Sequence, residues 1–358
     1  MSEEDADSGV LLPPNRKQPV SIYDIAKEAG VSPSTVSRAL SKPGRVSAKT
    51  EKRIRDAAAA LGYSINPLAR ALLTGRTGTL GLLLSDITNP VYFDLVRGAG
   101  RVVSAEGYTL VLAESQELPG LEAQTAERLL SLVEGLVLVG TRLKEEEILR
   151  LAERKPVVLV NREVPSLPHV VPDITPGIRD AIAHLVGFGH QSVAFLSGPA
   201  TSWMSAWRWD TVMTEALQRG MNVVEIGPGS PTHEGGAEGL RRVLASGVTA
   251  VLTYNDLMAI GLLTACQEAG IAVPEDLSII GFDDIFACDF TSPPLTTIRT
   301  PLGAAGEDAF RRLIATLKGL EEEGPSDLTT ELVIRKSASH RQSTSYRPQV
   351  GQLGPHSP

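Results

Sequence analysis

The sequence predicts an α/β protein in which a small helical module precedes two doubly wound, parallel-sheet subdomains. Three observations predict this architecture. Capping signals divide residues 20–65 into three short helices. From residue 79 onward, strand-length runs of Val, Ile and Leu alternate with helical stretches. The module is basic and the remainder is acidic, so the two parts are expected to attract different partners.

The first two helices are joined by a glycine turn. Ser21 is positioned to cap the first helix, and Asp24, three residues later, can accept a hydrogen bond from the backbone of Ser21. Gly30 suits the turn. Ser32 is positioned to cap the second helix, and Pro33 takes its first position, where no backbone N–H is needed. A third helix follows, and together they predict a helix-turn-helix module.

The second helix has one apolar face and one wet face. Val36 and Leu40 lie one turn apart and can pack against the first helix, whereas Ser34, Arg38 and Ser41 lie on another face. Short hydroxyl side chains with one arginine suit a helix that enters the major groove of DNA. A basic three-helix unit without a particular partner is the alternative.

The charge distribution points to a polyanionic partner for the module alone. Residues 16–76 contain 12 Lys and Arg against 4 Asp and Glu, a net charge of +8. Because the whole chain carries a net charge of −8, the remainder carries −16. A basic module on an acidic body favours a protein in which only the module meets nucleic acid.

The composition and motifs argue against several other classes. Two cysteines are too few for a disulfide framework, the acidic start is unlike a secretory signal, and no apolar run approaches a membrane span. No G-x-S-x-G elbow, Walker loop or G-x-G-x-x-G follows the first strand, and the six histidines lack metal-site spacing. We expect a cytoplasmic, nucleoid-associated protein that is not an enzyme and needs no cofactor, metal or membrane. A small-molecule binding protein without a DNA role is the alternative class.

Eight apolar runs are predicted to be strands buried on both faces, as in parallel sheets. They are residues 79–85, 108–114, 135–140, 156–161, 191–197, 222–226, 249–255 and 277–282. The series divides near residues 170–175. Ligands of open α/β sheets bind beyond the carboxyl ends of the strands, and several of these strands end in Asp or Asn. The sequence therefore predicts a ligand cleft between the two halves.

Over about residues 20–340 the chain resembles the LacI/GalR family of bacterial transcription regulators. The matching motifs are Ile22–Ala26, Val31–Arg38, Leu61–Tyr63, Asn66–Ala69, Asn255–Asp256, Gly281–Asp284 and Pro293–Ile298. The resemblance implies a ligand-responsive regulator, a repressor by default. It would bind a near-palindromic double-stranded DNA operator as a homodimer or a tetramer.

The resemblance also implies a domain plan. A disordered tail at 1–19 precedes a helix-turn-helix domain at 20–65 and a hinge helix with linker at 66–78. An effector-binding core of periplasmic-binding-protein type then spans 79–340, followed by a flexible tail at 341–358. Within the core we expect an N-subdomain of about 79–173 and 300–323 and a C-subdomain of about 174–299 and 324–340.

Residues with expected DNA roles are carried over by position. Arg38 is the best candidate for a bidentate contact to guanine, and Leu72 matches the apolar wedge that the hinge helix inserts between base steps. Thr35 and Ser37 would contact phosphates. The full set is Ser21, Pro33, Ser34, Thr35, Ser37, Arg38, Ser41, Arg45, Asn66, Ala69 and Leu72.

The effector cleft departs from the family pattern in one helix. Sugar-binding relatives place an arginine where this chain has Trp207, and Arg208 lies one residue later. We expect Trp203 and Trp207 to stack against a sugar-like effector, a glycoside or polyol, and Trp209 to join a core stripe with Ala206, Met213 and Leu217. The alternatives are a core position for the first two tryptophans and a non-sugar or aromatic effector. The expected effector-binding set is Asp86, Asn89, Phe93, Asn161, Trp203, Trp207, Arg208, Asn255 and Asp283.

Overall fold

In the computed structural model, the chain forms two compact units, residues 1–77 and 78–358. The structure describes residues 20–41, 45–63, 76–320, 324 and 326–340. The predicted tails and the predicted hinge helix lie outside these ranges. Among the described residues, no helix is both long enough and apolar enough to span a bilayer.

The described residues of the first unit form three helices around a small core. Ile25, Val36 and Ile54 are each 0% exposed at the centre of that core. The first helix begins after Ser21, whose backbone N–H and hydroxyl both donate to the Asp24 carboxylate, at 2.8 and 2.7 Å. These hydrogen bonds lower the pKa of Asp24. The helices are α1 Ile22–Ala29, α2 Pro33–Ser41 and α3 Ala48–Ala60.

The second unit alternates strands and helices, as the apolar runs predict. Its strands are β1 Thr79–Leu84, β2 Thr109–Glu114, β3 Leu136–Val139, β4 Val157–Val160, β5 His169–Val170, β6 Ser192–Leu196, β7 Asn222–Ile226, β8 Ala250–Thr253, β9 Ser278–Asp283, β10 Thr296–Arg299 and β11 Glu331–Val333. Its helices are α4 Tyr92–Ala105, α5 Pro119–Leu132, α6 Glu145–Ala152, α7 Thr175–Gly187, α8 Trp203–Gln218, α9 His233–Ser246, α10 Asp256–Glu268 and α11 Leu302–Lys318.

These strands form two sheets. The first sheet has the order β2-β1-β3-β4-β5 and is parallel throughout. The second has the order β11-β10-β9-β8-β6-β7, in which only the edge strand β11 is antiparallel. Helices cover both faces of each sheet, because Val, Ile and Leu project from both faces of the central strands. The fold is the doubly wound α/β fold that the sequence predicts.

The prediction of strands is confirmed for all eight apolar runs, but it is incomplete and partly wrong about burial. It omits β5, β10 and β11, which have only two to four residues each and lack a long apolar run. Burial on both faces does not hold for β2 and β7, because each lies at a sheet edge. Asn222 and Glu225 of β7 are exposed.

Helix α11 returns the chain from the second sheet to the first, where it crosses α4 at very close range. A Cβ atom on Gly98 would lie 2.1 Å from the carbonyl oxygen of Gly303, and one on Gly306 would lie 2.4 Å from that of Leu95. Only glycine permits this approach. The crossing is further held by Arg101, which pairs with Glu307 at 2.5 Å.

One carboxyl group is fully buried below the carboxyl end of β9. Asp256 accepts hydrogen bonds from the Thr297 hydroxyl at 2.5 Å and from the backbone N–H of Ile285 at 2.9 Å. Burial and, to a smaller extent, the neighbouring Asp283 carboxylate raise the pKa of Asp256 to about 7, against the lowering effect of the hydrogen bonds. The native state therefore holds a proton that the unfolded chain releases above its ordinary pKa near 4.

We predict that Asp256→Asn flattens the pH dependence of stability. With a raised native pKa, the contribution of Asp256 is complete below pH 4 and is lost as the pH rises through about 7. Over that window the wild type should lose up to about 1.4 kcal/mol per pH unit relative to the variant, measured by denaturant unfolding. Parallel pH profiles of the two proteins would contradict a buried, proton-holding Asp256.

Candidate DNA-binding surface and effector cleft

The connection between α1 and α2 has the local geometry that its residues favour. Gly30 takes the left-handed conformation, with φ of 59°, and ends α1. The Ser32 hydroxyl accepts a hydrogen bond from the backbone N–H of Thr35 at 3.3 Å, so it caps α2. Pro33 is the first residue of α2. These contacts fix the angle at which α2 leaves the turn.

Helix α2 buries one face and exposes the other. Val36 and Ala39 are 0% and 3% exposed and contact the core of the module. Ser34 and Arg38 are exposed, and Pro33, Thr35 and Ser37 are half-buried. The exposed face therefore carries the hydroxyls and the arginine that the sequence assigns to base and phosphate contacts.

The remaining residues of the predicted DNA-binding set fall into two groups. Arg45 is exposed, and Ser21 is half-buried with its hydroxyl bound to Asp24. The side chain of Ser41 and the hinge residues lie outside the described residues; the hinge residues are Asn66, Ala69 and Leu72.

In the second unit, the part built on the first sheet is called here the N-subdomain and the part built on the second sheet the C-subdomain. The carboxyl ends of the strands of both sheets surround a narrow cavity of about 30 Å³. That volume is about what one water molecule needs. Five of its lining residues belong to the predicted effector-binding set, namely Asn89, Asn161, Arg208, Asn255 and Asp283. Because the carboxyl ends of parallel strands meet at one edge of a sheet, these five residues lie together although they are far apart in the sequence.

Arg208 and Asp283 form a buried ion pair on the C-subdomain wall. The guanidinium donates to the Asp283 carboxylate at 3.1 Å and to the backbone carbonyl of Tyr254, and it stacks 3.7 Å from the ring of Phe282. The two charged side chains are 6% and 8% exposed. Burial raises the pKa of Asp283 to about 6, although Arg208 acts to lower it.

A second ion pair lies on the N-subdomain wall, where the side chain of Arg142 is 4% exposed and that of Glu117 is 23% exposed. Arg142 donates to Glu117 through two nitrogens at 2.6 and 2.9 Å, and also to the carbonyl of Gly140 at 2.9 Å. Gln116 and Glu117 both take positive φ, 53° and 59°, which turns the chain after β2 toward this site. Tyr92, beside the pair, donates or accepts a 2.8 Å hydrogen bond with Ser85.

Two asparagines contribute to the cavity in different ways. Asn255 caps α10 through its side-chain oxygen and donates to the carbonyl of Pro231 at 2.9 Å, so both ends of its amide are engaged. Asn161, with φ of 57°, has a buried side-chain oxygen without a protein hydrogen-bond partner, and so has the buried Nε of Arg208. Both residues line the cavity.

Two predicted effector residues lie away from this cavity. The Asp86 carboxylate accepts hydrogen bonds from the backbone N–H and hydroxyl of Thr88 at 2.8 and 2.6 Å, which stabilise the turn after β1. Phe93 is 47% exposed, stacks on Phe286 with ring centres 6.4 Å apart, and lines an adjoining cavity of about 680 Å³.

The predictions for the tryptophan helix need correction. Arg208, not Trp207, points into the cleft, and Trp203 and Trp207 line a different cavity. The predicted core stripe is also wrong at Ala206 and Leu217, which are exposed. The inner face of α8 instead carries Met204, Arg208, Val212, Glu215 and Ala216. Because Arg208 and Glu215 are charged, the pattern of hydrophobic residues does not predict that this face of α8 is the buried one. Trp209 does pack on the core, stacked on Phe195 with ring centres 6.2 Å apart.

Several lining residues escaped the sequence analysis, namely Tyr92, Glu117, Arg142 and Tyr254. A signal for two of them was present, because Glu117 follows the predicted strand 108–114 and Arg142 follows the predicted strand 135–140. Taking the residues after the carboxyl end of every predicted strand as candidate site residues would have included Glu117 and Arg142. The local sequence around Tyr92 and Tyr254 does not predict that these tyrosines line the cavity.

Comparison with known proteins agrees with this architecture. The family model described as "Bacterial regulatory proteins, lacI family" matches residues 21–66, and the one described as "Periplasmic binding protein-like domain" matches residues 182–338. The fold and these matches define the class as a helix-turn-helix module joined to a core of periplasmic-binding-protein-like type.

The similarity to relatives over most of their length shows the family of this chain. The HTH-type transcriptional regulator AscG of Escherichia coli (strain K12) is 35% identical over 327 residues, which cover 88% of this chain and 97% of the relative. A crystal structure of the lac repressor dimer bound to operator and the anti-inducer ONPF has a TM-score of 0.80 at 27% identity and covers 90% of this chain and 100% of its own. A complex of the transcriptional regulator CelR with cellobiose has a TM-score of 0.65 at 27% identity, with coverage of 89% and 100%. The chain belongs to the LacI family and is a transcriptional regulator, not an enzyme.

We predict that Arg208→Ala destabilises the second unit by about 3 kcal/mol or more, because it leaves Asp283 buried without its partner. Adding Asp283→Asn should recover part of the loss. Arg154→Ala is the control, since Arg154 and Glu127 form a pair that is 54% exposed at both ends and worth about 1 kcal/mol or less. Equal denaturation midpoints for Arg208→Ala and Arg154→Ala would contradict the buried pair.

Proposed function

We propose that this chain is a repressor that binds a near-palindromic operator as a homodimer and responds to a neutral, sugar-like effector in the cleft. The observation that carries the proposal is the cleft itself, where buried ion pairs and unpartnered polar atoms meet at the carboxyl ends of two parallel sheets.

Support for DNA binding comes from the exposed face of α2. Arg38 is exposed at the middle of that face, and Ser34 lies one turn before it. An arginine in this place suits a bidentate contact to guanine, while the short side chains permit close approach to the groove. The lac repressor structure, to which this chain is similar, was solved with the repressor bound to operator.

The cleft favours a neutral ligand because its charges are already paired. Arg208 is neutralised by Asp283 and Arg142 by Glu117, which leaves no unpaired charge among these four for an ionic ligand. The side-chain oxygen of Asn161 and the Nε of Arg208 together offer one acceptor and one donor, as a hydroxyl group requires. Cellobiose, the ligand of the CelR complex, is a molecule of this kind.

Effector binding must also change the shape of the cleft. A cavity of about 30 Å³ holds about one water, so a sugar can enter only if the two subdomains separate or rotate. A ligand that favours one arrangement of the subdomains shifts the equilibrium between them, and that shift is the basis of allosteric control of DNA affinity.

Support for a homodimer comes from an exposed aromatic strip on the second unit. Phe93, Phe286 and Phe290 are 47%, 61% and 82% exposed, and successive ring centres are 6.4 Å apart. Contiguous exposed aromatic rings on a folded protein mark an interface. A second copy of the chain is the occupant that matches the dimeric relative and a palindromic operator.

We predict that Arg38→Ala weakens binding to the operator at least tenfold, the equivalent of losing a contact worth about 1–3 kcal/mol. The operator is first selected from random DNA with the full chain and is then used in mobility-shift titrations. Arg154→Ala, in the other unit, is the control and should bind like the wild type. Failure to enrich any near-palindromic sequence would contradict the proposed function, and an unaltered affinity of Arg38→Ala would contradict the role of Arg38.

We predict that Phe290→Glu converts the dimer to a monomer at concentrations where the wild type is dimeric, because a charge on the most exposed ring of the strip cannot be buried without a partner. Sedimentation velocity measures both states. Leu132→Glu, at a leucine that is 60% exposed outside the strip, is the matched control and should remain dimeric. A monomeric wild type would contradict the proposed dimer, and a dimeric Phe290→Glu would contradict this interface.

A further inference from the structure

A second cavity, of about 690 Å³, lies beside the start of α8. Its walls come from both subdomains, namely the segment between β4 and β5, the first turns of α8, and Arg312 of α11 with Gly324 and Ser326. The described residues that matter most are Glu163, Leu167, His169, Trp203, Trp207 and Arg312. A cavity of this volume falls within the range of small-molecule sites, about 300–1,000 Å³.

This cavity is distinct from the effector cleft, although the two are close along the chain. Trp207 lines the second cavity while its neighbour Arg208 points into the cleft. Glu163 lines the second cavity, whereas Asn161, two residues earlier, lines the cleft. Different faces of α8 and of the segment after β4 therefore serve the two cavities.

The tryptophans form one wall of the second cavity. Trp203 and Trp207 are one helical turn apart, with ring centres at 5.2 Å and ring planes inclined by 48°. Both rings are half-buried, because each packs in part against the core of the second sheet and in part lines the cavity. Two of the chain's three tryptophans thus present ring surface to a concave space.

The polar groups around this wall suit an uncharged molecule. Arg312 is not available to an anion, because it donates to Asp308 at 3.1 Å and to the carbonyl of Gly324 at 2.6 Å. Glu163 and His169 offer hydrogen-bonding groups at the cavity wall. An aromatic wall with a few hydrogen-bonding groups fits a ligand that has an apolar C–H face and peripheral hydroxyls, which is the chemistry of a pyranose ring.

We propose that Trp203 and Trp207 are the stacking wall of a second carbohydrate site, separate from the effector cleft. A pyranose ring lies against the two indoles, and its hydroxyls hydrogen-bond with Glu163 and His169. This proposal concerns binding at the second cavity alone, so it stands or falls independently of operator binding.

The three tryptophans supply built-in reporters for the test. The full chain is labelled with 5-fluorotryptophan, and the fluorine resonances are assigned by replacing each tryptophan in turn with phenylalanine. Cellobiose and methyl β-D-glucopyranoside are the probes. The proposal predicts saturable shifts of the Trp203 and Trp207 resonances with one common dissociation constant for each sugar, and a smaller shift for Trp209.

Variants then locate the bound sugar. Trp207→Ala should weaken binding at least tenfold and Trp207→Phe should weaken it less, because a phenyl ring still offers a stacking face. Trp209→Phe is the matched control on the same helix and should bind as the wild type does. The proposal is overturned if neither sugar shifts the Trp203 and Trp207 resonances at tens of millimolar. It is also overturned if the shifts persist in Trp207→Ala and vanish in Asp283→Asn, since the sugar would then be in the cleft.

Discussion

Each wall of the cleft pairs its own charged side chains, and the proposed response of this regulator to a ligand depends on that constraint. Glu117 and Arg142 both belong to the N-subdomain, and Arg208 and Asp283 both belong to the C-subdomain. A buried charge that loses its partner costs several kcal/mol. Because neither pair spans the cleft, the walls can separate without stranding these charges, so a neutral ligand of modest affinity can decide their arrangement.

The fold makes this arrangement possible by gathering strand ends. In both sheets, the residues that follow parallel strands meet at the same edge, which places Arg142, Asn161, Asn255 and Asp283 around one small space. Backbone conformations that side chains rarely adopt, such as φ of 114° at Asp283 and 59° at Glu117, aim these residues at the site. The close crossing of α4 and α11 holds the N-subdomain wall in place.

Much of this architecture could be predicted from the sequence, and the failures have physical causes. Continuous apolar runs indicate buried parallel strands because burial on both faces leaves no alternation. The predicted burial is wrong for β2 and β7, which lie at sheet edges. The predicted core stripe of α8 lies on the wrong face at Ala206 and Leu217, because a buried arginine and a buried glutamate break the hydrophobic period of this helix. The contact of Glu117 with Arg142 depends on positive φ at Gln116 and Glu117, a conformation that these residue types do not predict.

The central claim is that a neutral sugar in the cleft controls operator affinity. The most direct measurement is the dissociation constant of the full chain for its selected operator, by fluorescence anisotropy, across a panel of neutral and anionic sugars. We predict that at least one neutral sugar changes this constant about 5- to 150-fold and that Asp283→Asn abolishes the change. A response to anionic sugars alone, or one that Asp283→Asn leaves intact, would contradict the account.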